Sequence, residues 1–185
     1  MYIDIFNGDA DGIFSLHQYR LENPQPAAEL VTGVKRDIQL LSRVEGVDDK
    51  SLAVFDVSLD SNRRPLENIL TNNNTVVYFD HHFAGDIPDN PALQTFIEPS
   101  PDTCTSLIVN QELKGRYRLW AICGAFGDNL HQTAQNLAKT AGLSPGETGQ
   151  LQELGELFNY NGYGTSISDL HFHPKELYAS VRPYL

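Results

Sequence analysis

The residues of this sequence best suited to chemistry are three consecutive metal-competent side chains, Asp80-His81-His82. They follow residues 75–79, a run of β-branched and aromatic residues typical of a buried strand. Aspartate and histidine are costly to bury without a partner, so packing alone is a poor explanation for three in a row. The run favours a cation-binding site, and an ordinary polar loop after a strand is the simpler alternative.

Further carboxylates follow other predicted strands. Asp9 and Asp11 lie in a glycine loop after a predicted strand at residues 2–6, and Asp56 interrupts a strand pattern at residues 51–57. Helix capping and an Asp-Gly turn would also place aspartates at these positions. Ligands of open α/β sheets bind outside the carboxyl ends of the strands, so we expect these carboxylates to meet the Asp-His-His run there.

The elements that must position these residues alternate for about 100 residues and are then helical. Strand patterns cover residues 2–6, 29–34, 51–57, 75–79 and 94–97, with helices at 13–21, 37–44 and 63–70. Later helix patterns cover residues 104–113, 117–125, 130–141, 144–158 and 174–181. This order predicts an α/β fold with a parallel, Rossmann-like sheet flanked by helices in residues 1–100. The mostly helical half, residues 101–185, is expected to pack across one edge or end of the sheet.

Composition narrows the possible functions. The chain has 185 residues, 41% of them hydrophobic, and a net charge of −11. A positive field is needed to displace counterions from duplex nucleic acid, so duplex binding is not expected. No apolar run is long enough to span a membrane, and residues 2–6 have a strand pattern and not that of a signal segment, so export is not expected. Cys104 and Cys123 form no metal-type pair, which favours a reduced, cytoplasmic protein.

Together the acidic residues predict bound cations. Five carboxylates cannot converge near neutral pH without counter-charge, because like charges a few ångströms apart repel strongly. They are Asp9, Asp11, Asp56, Asp80 and Asp128. Mixed carboxylate and imidazole ligands suit divalent cations such as Mn²⁺, Mg²⁺ or Co²⁺. Two such cations about 3.5–4 Å apart form a common arrangement for phosphate hydrolysis.

The order and rough spacing of these residues resemble the four motifs of the DHH phosphoesterases. The matching stretches are Asp9-Ala10-Asp11-Gly12, Asp56, Asp80-His81-His82 and Gly127-Asp128. That superfamily includes RecJ-type exonucleases, nanoRNases, cyclic-dinucleotide phosphodiesterases, exopolyphosphatases and manganese pyrophosphatases. The resemblance covers about residues 1–130 and implies that residues 1–185 form a RecJ-like catalytic domain.

The resemblance implies a set of metal ligands. Asp9 would ligate one cation and Asp11 the other, Asp56 would bridge them, and His81 and Asp128 would complete the second site. Two Mn²⁺ ions are the expected cofactors, with Mg²⁺ or Co²⁺ as alternatives.

Substrate and catalytic roles follow from the same resemblance. His82 would face the phosphate as a hydrogen-bond donor or general acid, and Asp80 would orient the histidines. Lys35 and Arg36, at a predicted strand-to-helix junction, are candidates for binding a phosphate or are simply exposed. Residues 159–164 form a polar aromatic loop that is a candidate flap over the cleft.

The sequence departs from the family pattern in two places. The family usually has a His or Asp as a metal ligand where this chain has Asn7, a weaker ligand, so the first site is expected to be weak, Mg²⁺-preferring or empty. No glycine-rich substrate-binding motif of the Gly-Gly-Gly-His kind is present. We therefore expect a second, substrate-binding domain outside this chain.

The sequence thus predicts a metal-dependent phosphoesterase that hydrolyses a phosphodiester or phosphoanhydride. The expected substrate is a small phosphorylated molecule or a short single-stranded oligonucleotide. The alternative is a catalytically impaired module that binds a metal or a phosphorylated ligand on the same fold. A third interpretation is an α/β protein without metal whose aspartates cap helices. The oligomeric state stays open, a homodimer being one option.

Overall fold

The computed structural model describes residues 1–185 and is built on one five-stranded, all-parallel sheet. The strands are Tyr2–Phe6 (β1), Glu29–Thr32 (β2), Ser51–Phe55 (β3), Thr75–Asp80 (β4) and Leu93–Ile97 (β5). Their order in the sheet is β2-β1-β3-β4-β5, with parallel pairing throughout. The predicted parallel α/β fold is confirmed.

Seven α-helices and two short 3₁₀ helices complete the chain. The α-helices are Ala10–Glu22 (α1), Leu59–Thr71 (α2), Thr105–Glu112 (α3), Arg118–Gly127 (α4), His131–Thr140 (α5), Pro145–Asn161 (α6) and Pro174–Val181 (α7). The 3₁₀ helices are Leu40–Val44 and Ile167–Asp169. None of the helices combines the length and the apolar character that crossing a lipid bilayer requires.

The strands bury side chains on both faces, as parallel strands covered by helices on both sides do. Ile3 and Ile5 point to one face and pack in a cluster with Leu66 of α2. Phe6 points to the other face and packs in a second cluster with Phe14 of α1. Each strand therefore contributes alternate residues to two separate cores.

The helical half packs against α1 on one face of the sheet. Helices α3, α4, α6 and α7 all contact α1. Phe14 of α1 stacks on Trp120 of α4 and lies 4.8 Å, centroid to centroid, from Phe158 of α6. The expectation that this half lies across an edge or end of the sheet is wrong, because α1 is buried on its outer side as well and supplies a second apolar surface.

The two helices predicted after the second and third strands also differ from the structure. The helix predicted at residues 37–44 is only the 3₁₀ turn Leu40–Val44, which begins without a side-chain cap. Helix α2 begins four residues before the predicted start because Ser58 is its N-cap and accepts the N–H of Ser61 (3.3 Å). Asp60 lies inside the first turn of this helix.

The sheet order determines where a site can form. From β1 the chain crosses to β2 on one side, whereas β3, β4 and β5 lie on the other side of β1. The loops that follow β1 and β3 therefore diverge at the carboxyl edge of the sheet. A reversal of strand order is the usual ligand-binding position in an open α/β sheet.

Candidate metal centre

A polar cleft of about 310 Å³ opens at this reversal of strand order. It brings together residues that are far apart in the sequence: Asn7, Asp9, Lys35, Asp56, His81, His82 and Asp128. Asp11 and Asp80 are buried beneath it. All the residues predicted to bind metal, and both predicted catalytic residues, therefore lie in this cleft or directly under it.

Asp9 follows β1 and has two roles in the fold. One of its oxygens, Oδ1, caps α1 by accepting the N–H of Gly12 (3.2 Å). A Cβ at Gly12 would lie 2.2 Å from the Asn7 carbonyl oxygen, so only glycine permits this turn. The other oxygen of Asp9, Oδ2, lies 2.6 Å from Nζ of Lys35. Asp9 thus caps a helix through one oxygen and faces the cleft through the other.

Asp11 is held by the N-terminus of α3. Its Oδ2 accepts the N–H of Thr105 and its Oδ1 accepts the N–H of Ser106, both at 2.8 Å. Burial opposes ionisation of this carboxyl, but His81 and the hydrogen bonds from Ser106 outweigh it and lower the pKa of Asp11. This contact was not predicted from the sequence, where its only signal is the pair of small polar residues that begins α3.

Asp56 adopts a left-handed backbone conformation, with φ of 57°. Such a conformation is uncommon for residues other than glycine, and it is found disproportionately at functional sites. The Asp56 carboxyl accepts a hydrogen bond from the Thr105 hydroxyl (3.2 Å). Burial, followed by the nearby Asp11 and Asp9 carboxylates, raises the pKa of Asp56 well above its usual value.

His81 lies between two carboxylates. Its Nε2 is 3.4 Å from Oδ1 of Asp56 and 3.8 Å from Oδ2 of Asp128. Asp128 follows the last residue of α4, so the helical half contributes directly to the cleft. Burial, followed by the charge of Asp11, raises the pKa of Asp128 to about 7.

His82 is positioned by Asp80 at the mouth of the cleft. Nδ1 of His82 lies 2.7 Å from Oδ1 of Asp80, whose side chain is fully buried. The second oxygen of Asp80 accepts the N–H of Leu59 at the start of α2 (3.4 Å). The hydrogen bond to Asp80 raises the pKa of His82, which favours a protonated ring able to donate to an anion.

Lys35 is the one lysine of the cleft. Besides Asp9, its Nζ donates to Oδ1 of Asn159 (2.9 Å) and lies 3.9 Å from Oδ1 of Asp128. Burial opposes the charge, but the Asp9 carboxylate outweighs it and raises the pKa of Lys35 above its usual range. Asn159 was predicted to begin a loop. It lies instead in α6, which continues to Asn161.

Helix α6 is longer than predicted because its end is fixed by the segment that follows. The Asn161 side chain bonds the backbone N–H and carbonyl oxygen of Phe172, both at 2.9 Å. Tyr163, beyond the helix end, places its ring centroid 5.7 Å from Nζ of Lys35.

Arg36, the other basic residue considered for phosphate binding, does not line the cleft. It is exposed, and it lines a separate cavity together with Arg43, Thr165 and Ser166. The carboxyl edge of the sheet therefore presents one basic side chain to the acidic cluster, from Lys35.

The donors in the cleft fit a divalent cation. Two groups have ligand atoms within 4.8 Å of one another: Asp56 with His81 and His82, and Asp11 with His81 and Asp128. Asn7 gives an independent indication, because it is only 8% exposed and its Oδ1 has no hydrogen-bond partner. A buried acceptor without a donor is unfavourable, and a cation would satisfy it.

Comparisons with known proteins give a fold-level likeness. No protein-family model and no curated protein sequence matches this chain. A crystal structure of exonuclease RecJ bound to manganese is 15% identical, with a TM-score of 0.49, over 98% of this chain and 60% of that one. A structure of RecJ with Mn²⁺ from Thermus thermophilus is 13% identical, with a TM-score of 0.48, over 98% of this chain and 34% of that one. The chain thus spans less than two thirds of either protein, and RecJ exonucleases are among the solved structures to which it is similar.

Proposed function

We propose that this chain is a divalent-cation-dependent phosphohydrolase acting on a phosphodiester or phosphoanhydride. The observation that carries the proposal is the position of His81 Nε2, 3.4 Å from Asp56 and 3.8 Å from Asp128, above the buried Asp11. One imidazole among three carboxylates is a donor set suited to Mn²⁺, with Mg²⁺ or Co²⁺ as alternatives.

Some residues of the chain would bind the cation, and others orient these ligands. Asp11, Asp56, His81 and Asp128 would hold a cation, and the motif resemblance implies a second one near Asp9. A bound divalent cation supplies charge stabilisation at phosphoryl oxygens and lowers the pKa of a bound water. The α3 N–H groups fix the orientation of Asp11, and the Thr105 hydroxyl does the same for Asp56.

His82 is the residue placed to move a proton. Its side chain is 44% exposed at the mouth of the cleft, and its ring is held by the buried Asp80. A protonated His82 would donate to a phosphoryl oxygen or to the leaving group as it departs. Asp80 contributes through His82 by fixing the ring and raising its pKa.

Charge and cleft size favour a small substrate. The cleft of about 310 Å³ is at the lower end of typical ligand sites. The net charge of −11 leaves little attraction for a long polyanion. A nucleotide or a short single-stranded oligonucleotide is therefore the proposed substrate class.

The experiment is a hydrolysis panel with and without Mn²⁺. The substrates are a bis-aryl phosphodiester, a short oligoribonucleotide and pyrophosphate, and Asp56→Ala is the control. We expect Mn²⁺-dependent turnover of at least one substrate and its loss in the control. Turnover that persists in Asp56→Ala would contradict the proposed site, since Asp56 lies at its centre.

Two observations favour the alternative of a binding module. Asn7 is neutral where the family usually has a charged or imidazole ligand, and Lys35 is paired with Asp9. A module of this kind would bind Mn²⁺ and a phosphorylated ligand without turnover of any of the three substrates. Mn²⁺ binding measured on the same protein sample separates it from a chain with no metal site.

A further inference from the structure

Lys35 reaches the carboxylate that was predicted to bind the first cation. Asp9 Oδ1 caps α1 by accepting the N–H of Gly12 (3.2 Å), and the oxygen that faces the cleft, Oδ2, lies 2.6 Å from Nζ of Lys35. Asp9 is absent from both groups of ligand atoms that lie close enough together to hold a metal ion. A positive charge therefore already lies at the Asp9 end of the cleft.

This lysine is fixed in place by several parts of the fold. Its backbone N–H donates to the Gly162 carbonyl oxygen (3.1 Å), and its carbonyl oxygen accepts from Nδ2 of Asn7 (3.3 Å). Its ammonium donates to Asn159 (2.9 Å), and its side chain is 26% exposed. Lys35 is therefore a positioned charge and not a mobile surface lysine.

The His81 end of the cleft has ligands for one cation. The two ligand groups share His81, and one atom, Nε2, lies close to both Asp56 and Asp128. A single ring nitrogen has one lone pair and binds one metal ion. The two groups share His81 and no other residue, so they cannot both hold a cation through Nε2 at the same time.

We propose that the Lys35 ammonium takes the place of one of the two cations implied by the motif resemblance. This inference rests on the proposed function and specifies its metal content. One divalent cation binds between Asp11, Asp56, His81 and Asp128, and Lys35 supplies the second positive charge beside Asp9.

The neutral Asn7 agrees with this assignment. An ammonium carries one charge, which the single carboxylate of Asp9 balances, whereas a divalent cation would be better balanced by a second charged ligand. Lysine has three N–H donors, and two of those on Lys35 go to Asp9 and Asn159. The third is available to a phosphoryl oxygen of the substrate, so Lys35 acts as a phosphate-binding residue.

The test is the number of Mn²⁺ ions bound per chain, measured from the free-Mn²⁺ paramagnetic resonance signal during titration. Lys139→Met is the matched control, because Lys139 is exposed on α5 and its loss changes the net charge equally. We expect one ion in the native chain and in Lys139→Met. In Lys35→Met we expect two, with the broadened spectrum of two coupled ions.

A second pair of variants is included because the site near Asp9, once Lys35 is removed, has only the neutral Asn7 as a further ligand and binds Mn²⁺ weakly. Asn7→Asp supplies a charged ligand, so Asn7→Asp with Lys35→Met is expected to bind two ions, whereas Asn7→Asp alone still binds one. Two ions in the native chain would overturn the inference and leave the proposed function standing. One ion in both Lys35→Met and the double variant would likewise overturn the inference and leave the proposed function standing. No Mn²⁺ bound by the native chain would instead overturn the proposed function, and the inference with it.

Discussion

At the scale of single residues, the contact of His82 with Asp80 indicates that His82 is a proton donor and not a metal ligand. His82 is close enough to Asp56 and His81 to belong to one possible ligand group, but its Nδ1 is 2.7 Å from the buried Asp80. We expect His82→Gln to lower kcat about 10²–10³-fold, because glutamine can donate a hydrogen bond but cannot transfer a proton. Mn²⁺ affinity is expected to change only a few-fold.

The measurement is initial rates and Mn²⁺ titration on the same His82→Gln protein. A hundredfold loss of Mn²⁺ affinity would identify His82 as a ligand. Asp80→Asn is the companion variant, since it keeps the side-chain size but removes the charge that raises the pKa of His82. The limb of the pH–rate profile where His82 loses its proton should then move to lower pH.

His17 predicts how stability depends on pH, away from the cleft. It is buried in α1, with Nε2 3.0 Å from the Tyr184 carbonyl oxygen and its ring at the edge of Trp120. Burial lowers the pKa of His17 to about 4 from the ordinary value of 6.5. Between these values the unfolded chain binds a proton that the folded chain does not, so stability falls as pH decreases through this window.

The His17 contribution should reach about 1 kcal/mol per pH unit. Urea denaturation of the native chain and His17→Gln at several pH values between about 4.5 and 7 measures it. Glutamine retains an N–H donor for Tyr184 but does not titrate, so the loss of stability at low pH should be smaller in the variant. If the free energy of unfolding fell equally with pH in both proteins, His17 would be ruled out as a source of the pH dependence.

At the scale of elements, the N-terminus of α3 is the support that holds Asp11. Thr105 is the first residue of α3, a position where helices tolerate proline, and the extended Cys104 before it is compatible with a following proline. Thr105→Pro would therefore remove the N–H that Asp11 accepts while leaving the helix able to form. Loss of such a supporting hydrogen bond typically costs about 10–100-fold in metal affinity.

The comparison variant is Thr105→Val, which keeps the N–H and removes only the hydroxyl that donates to Asp56. We expect the larger loss of Mn²⁺ affinity in Thr105→Pro, measured by titration, with little change in the far-ultraviolet circular dichroism of either variant. Equal losses would mean that the hydroxyl, and not the helix N-terminus, organises the site.

Prediction from sequence succeeded where the relevant signal was local. Strand patterns ending in aspartate indicated the parallel sheet and the edge where Asp9, Asp56 and Asp80 gather. It failed where contacts join distant parts of the chain. Thr105 is 94 residues from Asp11, and Asn159 is 124 residues from Lys35, so neither contact has a periodic signature. Helix α6 exceeded its predicted end for a similar reason, because its last residue is held by Phe172.

At the scale of the whole molecule, the cleft joins the two halves of the chain. Asp9, Asp56 and His81 come from the parallel half, whereas Asp128 and the N-terminus of α3 come from the helical half. A cation held by both halves binds only when they are assembled. Cation binding should therefore be coupled to the folding of the entire chain and not to that of one part.

This coupling predicts stabilisation by Mn²⁺ that depends on pH. A ligand at about 100 times its Kd stabilises the folded state by about 2.7 kcal/mol. For a chain of this size the melting temperature should rise by about 5–10 °C over that in chelator. The shift should shrink as pH falls below about 7, because Asp128, whose pKa burial raises to about 7, binds a cation only when deprotonated. Scanning calorimetry from about pH 5 to 8 tests this, with Asp56→Ala expected to lose the shift. An equal shift in that variant, or one that stays unchanged at about pH 5, would place bound Mn²⁺ elsewhere on the molecule.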